Sequence, residues 1–106
     1  VTLEAGAAGR GGRNTELALA AARELSGTTG EAVLTLATDG EDGTTRSAGG
    51  VVDGRTWEAV QRAGVDPDQA LRRHDAFRAL SAVPGALLST GLTGTNVGDL
   101  AIYLRE

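Results

Sequence analysis

Residues 38–46, "TDGEDGTTR", place carboxylates and hydroxyls directly after the apolar run "AVLTLA". Asp39, Asp42 and Thr45 supply hard oxygen atoms, which suit Mg²⁺ held partly by water and phosphate, or the hydroxyl groups of a polyol substrate. The alternative is a solvated turn in which the Asp side chains bond their own backbone. Because a hairpin turn needs only a few such residues, the length of this segment favours a ligand.

A glycine-rich segment at residues 9–14, "GRGGRN", could bind an anion. Gly11 and Gly12 would let the backbone approach a ligand, and Arg13 offers a charged fork that matches carboxylate or phosphate. Asn14 is the predicted N-cap of a helix whose first N–H groups would point toward the same ligand. The segment is neither a Walker A loop nor a GxGxxG motif, so an ordinary glycine turn before a capped helix stays equally open.

A third polar segment, residues 90–100, "TGLTGTNVGDL", again mixes hydroxyls, an amide and glycines. It predicts a hairpin between the apolar segments "ALLST" and "LAIYL", with Thr95 and Asn96 available to a ligand. His74, the single histidine, stands at a helix boundary. It is interpreted as a capping or exposed residue rather than a catalytic base.

Two apolar segments should fix the positions of the polar segments at residues 38–46 and 9–14. Residues 31–38, "EAVLTLAT", are almost continuously apolar and predict a central strand covered on both faces. Residues 15–25 consist of strong helix formers and predict a helix packed closely on the sheet. Its expected apolar stripe is Leu17, Ala21 and Leu25, widened by Ala18 and Ala22.

The middle of the chain predicts three shorter helices. Residues 56–63 should be helical with Trp57 and Val60 facing inward. Asp66, followed by Pro67, is typical of a helix start, and Asp75 should cap a further helix.

Strands that alternate with helices predict an α/β domain, expected here as a three-layer α/β/α arrangement with a mixed, mostly parallel sheet. Residues 1–5, "VTLEA", alternate in polarity and predict a short strand near an edge. Ligands of open α/β sheets bind beyond the carboxyl ends of the strands. We therefore expect the three polar segments to converge on one edge of the sheet.

Length and composition limit the classes of function. A chain of 106 residues corresponds to one domain. Its net charge of −4, without a run of Lys or Arg, makes nucleic acid an improbable partner. The absence of cysteine, of a signal peptide and of a membrane-length apolar run fits a cytoplasmic protein that does not bind membranes. Because the chain opens at Val1 without an initiator Met, we interpret it as a fragment of a longer protein.

Four segments in order resemble the MOFRL domain, the C-terminal domain of class II glycerate kinases, a family also labelled as hydroxypyruvate reductases. They are "GRGGRNTELALAAA", "ATDGEDGTTRSAGGVVDG", "GVDPDQALRRHDAF" and "LLSTGLTGTNVGDLAIYL". The resemblance covers essentially the whole chain, as one domain over residues 1–106. Thr15 stands where the family usually has Gln, and His74 where Asn commonly precedes the Asp.

The resemblance implies a transferase that uses ATP and Mg²⁺ to phosphorylate glycerate to 2-phosphoglycerate. It also implies an N-terminal Rossmann-like domain, with the active site in the cleft between the domains and an inactive isolated C-terminal domain. Arg13 would bind the substrate or transition state. Asp42 is assigned a catalytic role and Asp39 the metal, although which aspartate does which is open. The expected substrate-binding residues are Gly11, Gly12, Asn14, Glu16, Thr45, Thr95 and Asn96.

Two alternatives belong to other classes of function. Reduction of hydroxypyruvate with NAD(P)H rests on family labelling, and no dinucleotide-binding fingerprint occurs in these residues. A non-catalytic interaction module is the other alternative. It is disfavoured because a scaffold has no chemical need for Arg13, Asp39 and Asp42 together.

Overall fold

Four helices and four strands make up the part of the chain that the computed structural model describes, residues 13–37, 49–88 and 99–106. In chain order they are α1 (Arg13–Leu25), β1 (Glu31–Ala37), β2 (Gly49–Asp53), α2 (Thr56–Arg62), α3 (Pro67–Arg72), α4 (Ala76–Ser81), β3 (Leu87–Leu88) and β4 (Asp99–Arg105).

The strands form one sheet in the order β3-β2-β1-β4, and each neighbouring pair is antiparallel. The predicted central strand is confirmed, because β1 pairs with β2 on one side and with β4 on the other. The expectation of a mostly parallel sheet is wrong. A single crossover helix would deliver the chain to a parallel neighbour. Here three helices, α2, α3 and α4, connect β2 to β3, and β3 pairs antiparallel with Gly49 and Gly50 at the beginning of β2.

The hairpin expected between "ALLST" and "LAIYL" is also wrong. β3 pairs with β2, and β4 pairs with β1, so the two strands lie at opposite edges of the sheet. Local sequence suggested a hairpin because two apolar runs flank a turn-rich segment. β4 instead pairs along all seven residues of β1, from Glu31 opposite Arg105 to Ala37 opposite Asp99.

Helix α1 packs on the sheet through small residues, as predicted. Ala18, Leu19 and Ala22 are fully buried, and a Cβ built on Gly50 of β2 would lie only 2.8 Å from the Ala18 Cβ atom. The predicted stripe is confirmed at Leu25, Ala18 and Ala22, which are buried, and Ala21 packs partly buried against them. It is wrong at Leu17, which is 39% exposed, and it omitted the fully buried Leu19.

The shorter helices follow their predicted signals more closely. Trp57 and Val60 are buried, and the Asp66 carboxylate accepts a hydrogen bond from the Gln69 N–H at 3.2 Å. Asp75 occupies the N-cap position of α4 but makes no capping hydrogen bond with its side chain.

The helices in the described ranges lie on one face of the sheet. α1 covers the face that carries Thr35 and Gly50, and Leu80 of α4 approaches Gly50 from the same side. Instead of the expected three layers, these parts of the chain therefore form two, one of helices and one of strands. None of these helices is long and apolar enough to cross a membrane.

Candidate functional site

The polar segments found in the sequence join the fold at one end of the sheet. Ala37, the last residue of β1, lies opposite Asp99, the first of β4. Gly49, the first residue of β2, pairs with Leu88, the last of β3, and also with Leu36. We call this end, defined by Ala37, Gly49, Leu88 and Asp99, the loop end. The described residues on either side of 38–48 and of 89–98 therefore all lie at this end.

Helix α1 begins beside the same end. The hydroxyl of Thr35, a fully buried residue near the end of β1, donates to the backbone carbonyl oxygen of Asn14 at 2.6 Å. The same hydroxyl accepts a hydrogen bond from the Gly50 N–H at 3.2 Å. One side chain thus holds the first turn of α1 against β1 and β2. Because residues 1–12 lead into this turn, the glycine-rich segment at residues 9–14 also joins the fold at the loop end.

Arg13 and Asn14 have different environments in this first turn. Arg13 is exposed, so its guanidinium can meet an anion at the loop end. Asn14 is 1% exposed and already part of α1, so it is not the N-cap that the sequence predicted. Its backbone contact with Thr35 shows how it contributes: it anchors the turn that carries Arg13.

Glu16 contacts His74. Its carboxylate oxygen Oε2 lies 2.8 Å from the His74 Nδ1, and its side chain is 15% exposed. His74 lies between α3 and α4 with φ of +56°, so the pair connects the first turn of α1 to that tight turn. Sequence reasoning treated the two residues separately, since 58 positions separate them. The substrate-binding role expected for Glu16 stays a prediction. What the structure shows for Glu16 is the contact with His74.

The far end of the sheet holds the tyrosine. The Tyr103 hydroxyl donates to the Glu31 carboxylate across β4 and β1. This hydrogen bond, followed by desolvation and the negative charge of Glu31, raises the pKa of Tyr103 above its ordinary value. Because Glu31 is the first residue of β1, this pair lies at the opposite end of the strand from the loop end.

The remaining predicted site residues lie outside the described residues, as does the strand predicted at residues 1–5. They are Gly11, Gly12, Asp39, Asp42, Thr45, Thr95 and Asn96. Within residues 13–37, 49–88 and 99–106, no group of three His, Asp or Glu side chains could hold a metal ion. The structure therefore brings together the attachment points of the three predicted ligand-binding segments and leaves the roles of their side chains as predictions.

Sequence reasoning missed Thr35. A signal was available, because Thr35 is the one hydroxyl within the apolar strand "EAVLTLA" and alternation places it on the same face as Val33. A buried hydroxyl is expected to find hydrogen-bond partners. The sequence did not show that these partners would be the backbones of α1 and β2.

Comparison with known proteins gives consistent results. The MOFRL family model matches residues 1–99. A D-glycerate 2-kinase from Thermotoga maritima is 52% identical over 96 residues, which cover 91% of this chain and 23% of that relative. A crystal structure of glycerate kinase from Thermotoga maritima superposes with a TM-score of 0.91 at 48% identity, covering 99% of this chain and 25% of that one.

A relative from Agrobacterium vitis carries the name hydroxypyruvate reductase. It is 41% identical over 104 residues, which cover 98% of this chain and 24% of that relative. Each of these proteins is therefore much longer than the chain described here, which spans about a quarter of their length.

Proposed function

The chain belongs to the MOFRL family, and from this premise we propose that it is the C-terminal domain of a glycerate kinase. In this proposal it forms one wall of an interdomain site where ATP phosphorylates glycerate to 2-phosphoglycerate. A Rossmann-like N-terminal part of the same polypeptide forms the other wall. The names of the similar proteins from Thermotoga maritima support the reaction class.

The observation that supports the proposal is that the described residues flanking the three polar segments all lie at the loop end. Phosphoryl transfer depends on positioning and on electrostatic stabilisation of charge spread over the phosphoryl oxygens. The exposed Arg13 supplies a permanent positive charge at the start of α1. The first N–H groups of this 13-residue helix add positive potential at the same place, the start of α1. Thr35 fixes both relative to the strand ends through Asn14.

The aspartates of residues 38–48 complete the proposed site. Bound Mg²⁺ would neutralise charge on the ATP phosphates. Asp39 and Asp42 have the hard oxygen ligands that Mg²⁺ prefers, and they follow β1 directly in the sequence. We assign the metal to Asp39 and orientation of the glycerate hydroxyl to Asp42.

Replacing Arg13 tests this assignment. In the full-length protein, Arg13→Lys keeps the positive charge but loses the bidentate fork. We expect kcat/KM for glycerate phosphorylation to fall about 10- to 100-fold, which corresponds to the loss of about 1.5–3 kcal/mol from a charged hydrogen bond. A coupled assay of ATP consumption with glycerate measures the change.

Arg23→Lys is the matched control, because Arg23 lies on the same helix and its half-exposed side chain forms salt bridges with the surface acids Glu24 and Asp68. The control should retain the activity of the unmodified protein. If Arg13→Lys were as active as Arg23→Lys, Arg13 would have no role in binding the substrate or the transition state.

Hydroxypyruvate reduction is the second candidate, favoured by the name of the Agrobacterium vitis relative. The two reactions differ in their co-substrates. Oxidation of NADH with hydroxypyruvate, in the absence of ATP consumption with glycerate, would replace the kinase proposal by the reductase.

A further inference from the structure

The sheet face turned away from the helices of the described residues is mostly apolar, and Asp53 lies on it opposite Ala32. Paired residues of neighbouring strands point to the same face, so the register assigns each side chain to one face or the other. Leu34 of β1 lies between Val51 of β2 and Ile102 of β4, and Ala32 lies opposite Leu104. Ile102 is 39% exposed and Leu104 is 56% exposed. We call this surface the open face and define it by Ala32, Leu34, Leu36, Val51, Ile102 and Leu104.

The side chains of β1 indicate that the open face is suited to packing against apolar groups rather than to contact with water. An antiparallel sheet with one wet face alternates apolar residues toward the core with polar residues toward solvent. In β1 the helix-covered face carries Val33 and Thr35, whereas the open face carries Ala32, Leu34 and Leu36. The face without helices is thus at least as apolar as the covered one.

The shape of this surface also resembles a packing interface. A depression of about 570 Å³ includes Ala32 and Leu104, with Asp53, Arg55 and Glu106 beside them. A second, of about 310 Å³, shares Ala32 and includes Val51. The first depression is lined mostly by polar and charged residues and borders the apolar residues of the open face. An apolar patch with a polar rim is the usual anatomy of a buried interface.

We propose that the open face is covered by another part of the same polypeptide, outside these 106 residues, through an apolar layer such as the hydrophobic side of helices. This inference rests on the proposed function insofar as that function places the domain in a longer chain. The solved structure that superposes on 99% of this chain has three quarters of its own chain outside the match. A segment of the same polypeptide is present at high effective concentration, which favours it over a separate partner. The covering layer supplies the third layer that the apolar pattern of β1 predicts.

Two adjacent residues of β4 provide a matched test. Leu104 and Tyr103 are 56% and 55% exposed, but they lie on opposite faces of the strand. The test compares Leu104→Cys with Tyr103→Cys in the full-length protein, with any cysteines outside these 106 residues replaced by serine. Reaction with a maleimide is followed by mass spectrometry of the β4 peptide, under native conditions and in urea. In urea the two cysteines should react at equal rates.

In the native full-length protein we expect Leu104→Cys to react at least about tenfold more slowly than Tyr103→Cys, because burial limits reaction to transient opening. Equal native rates, both fast or both slow, would overturn the proposal. So would protection that appears only as the protein concentration rises, since that result identifies a second copy as the occupant.

Photo-crosslinking identifies the covering segment. Full-length protein grown with photo-leucine, a diazirine analogue of leucine, is irradiated, and crosslinks from the peptide containing Ile102 and Leu104 are sequenced. Crosslinks to residues beyond this chain support the proposal, whereas crosslinks only to residues 1–48 or 89–98 contradict it. Because neither readout measures activity, a protected Leu104 in a protein that does not phosphorylate glycerate would refute only the proposed function.

Discussion

At the loop end, the hydroxyl of Thr35 connects parts of the chain that are far apart in sequence. It links β1 to Asn14 of α1, 21 residues away, and to Gly50 of β2, 15 residues away. A buried carbonyl or N–H that loses its partner costs about 1–3 kcal/mol. The position of Arg13, one residue before Asn14, therefore depends on a hydroxyl that contacts no ligand.

Thr35→Val should destabilise the fold, because it replaces the hydroxyl by a methyl group and leaves the Asn14 carbonyl and the Gly50 N–H without this partner. We expect the free energy of unfolding to fall by about 2–3 kcal/mol. Urea unfolding followed by the fluorescence of Trp57, the single tryptophan of these 106 residues, measures it. Thr35→Ser keeps the hydroxyl and should lose less. If the valine variant were as stable as the serine variant, the Thr35 hydroxyl would not anchor α1.

His74 illustrates a second constraint on single residues. Its φ of +56° lies in the left-handed region, which non-glycine residues seldom adopt and in which Asn, Asp and His are enriched. The family resemblance places Asn at this position, so both residue types meet the same backbone requirement. His74 in addition reaches the Glu16 carboxylate.

Among the elements, α1 and β2 pack closely at Gly50. A Cβ on Gly50 would lie 2.8 Å from the Ala18 Cβ, 3.1 Å from the Leu80 Cδ1 and 3.2 Å from the Ala86 carbonyl oxygen. Normal packing does not allow the first distance, so a side chain at residue 50 would push α1 away from the sheet. The absence of a side chain on Gly50 thus sets the separation of the two layers.

Gly50→Ala should lower the free energy of unfolding by about 1–3 kcal/mol, because an overpacked core shifts its backbone or its rotamers. A double-mutant cycle with Ala18→Gly separates this clash from other effects, and urea unfolding of the four proteins gives the four free energies. In the Gly50→Ala background, Ala18→Gly should destabilise less than it does alone, where it costs about 1 kcal/mol from helix propensity. Strictly additive effects would show that the two residues do not compete for the same space.

For the molecule as a whole, the proposal is a domain that works as part of a larger protein, and the two layers and the open face of the described residues support it. The described residues contribute the strand ends, the first turn of α1 and Arg13 to the proposed site. In that proposal the nucleotide-binding half lies elsewhere in the polypeptide. Activity should therefore require both halves.

We expect the isolated 106-residue chain to show no ATP-dependent phosphorylation of glycerate above the rate without protein, whereas the full-length protein should be active. The physical reason is that one wall of a cleft can neither position both substrates nor exclude water. Product formation from glycerate and ATP-Mg²⁺, measured on both proteins, provides the comparison. Turnover by the isolated chain comparable to that of the full-length protein would show that these 106 residues hold the complete site.

Local patterns in the sequence were sufficient for several features. The apolar run at residues 31–38 predicted the central strand, and the Asp-Pro pair at residues 66–67 predicted the start of α3. Trp57 and Val60 were correctly placed inside. These features depend on side-chain periodicity and on hydrogen bonds within a few residues, which the sequence displays directly.

Only the tertiary structure decided how these elements are arranged. Strand direction, the partner of β4 and the exposure of Leu17 were each misjudged, because they depend on contacts between distant segments. The apolar run of β1 is equally compatible with a parallel and an antiparallel neighbour. The Cβ of Ala18 lies near Gly50 only once the layers have packed. The residues that flank the polar segments at residues 38–48 and 89–98 lie at one end of an antiparallel sheet, because the end of each strand pairs there with the beginning of its neighbour.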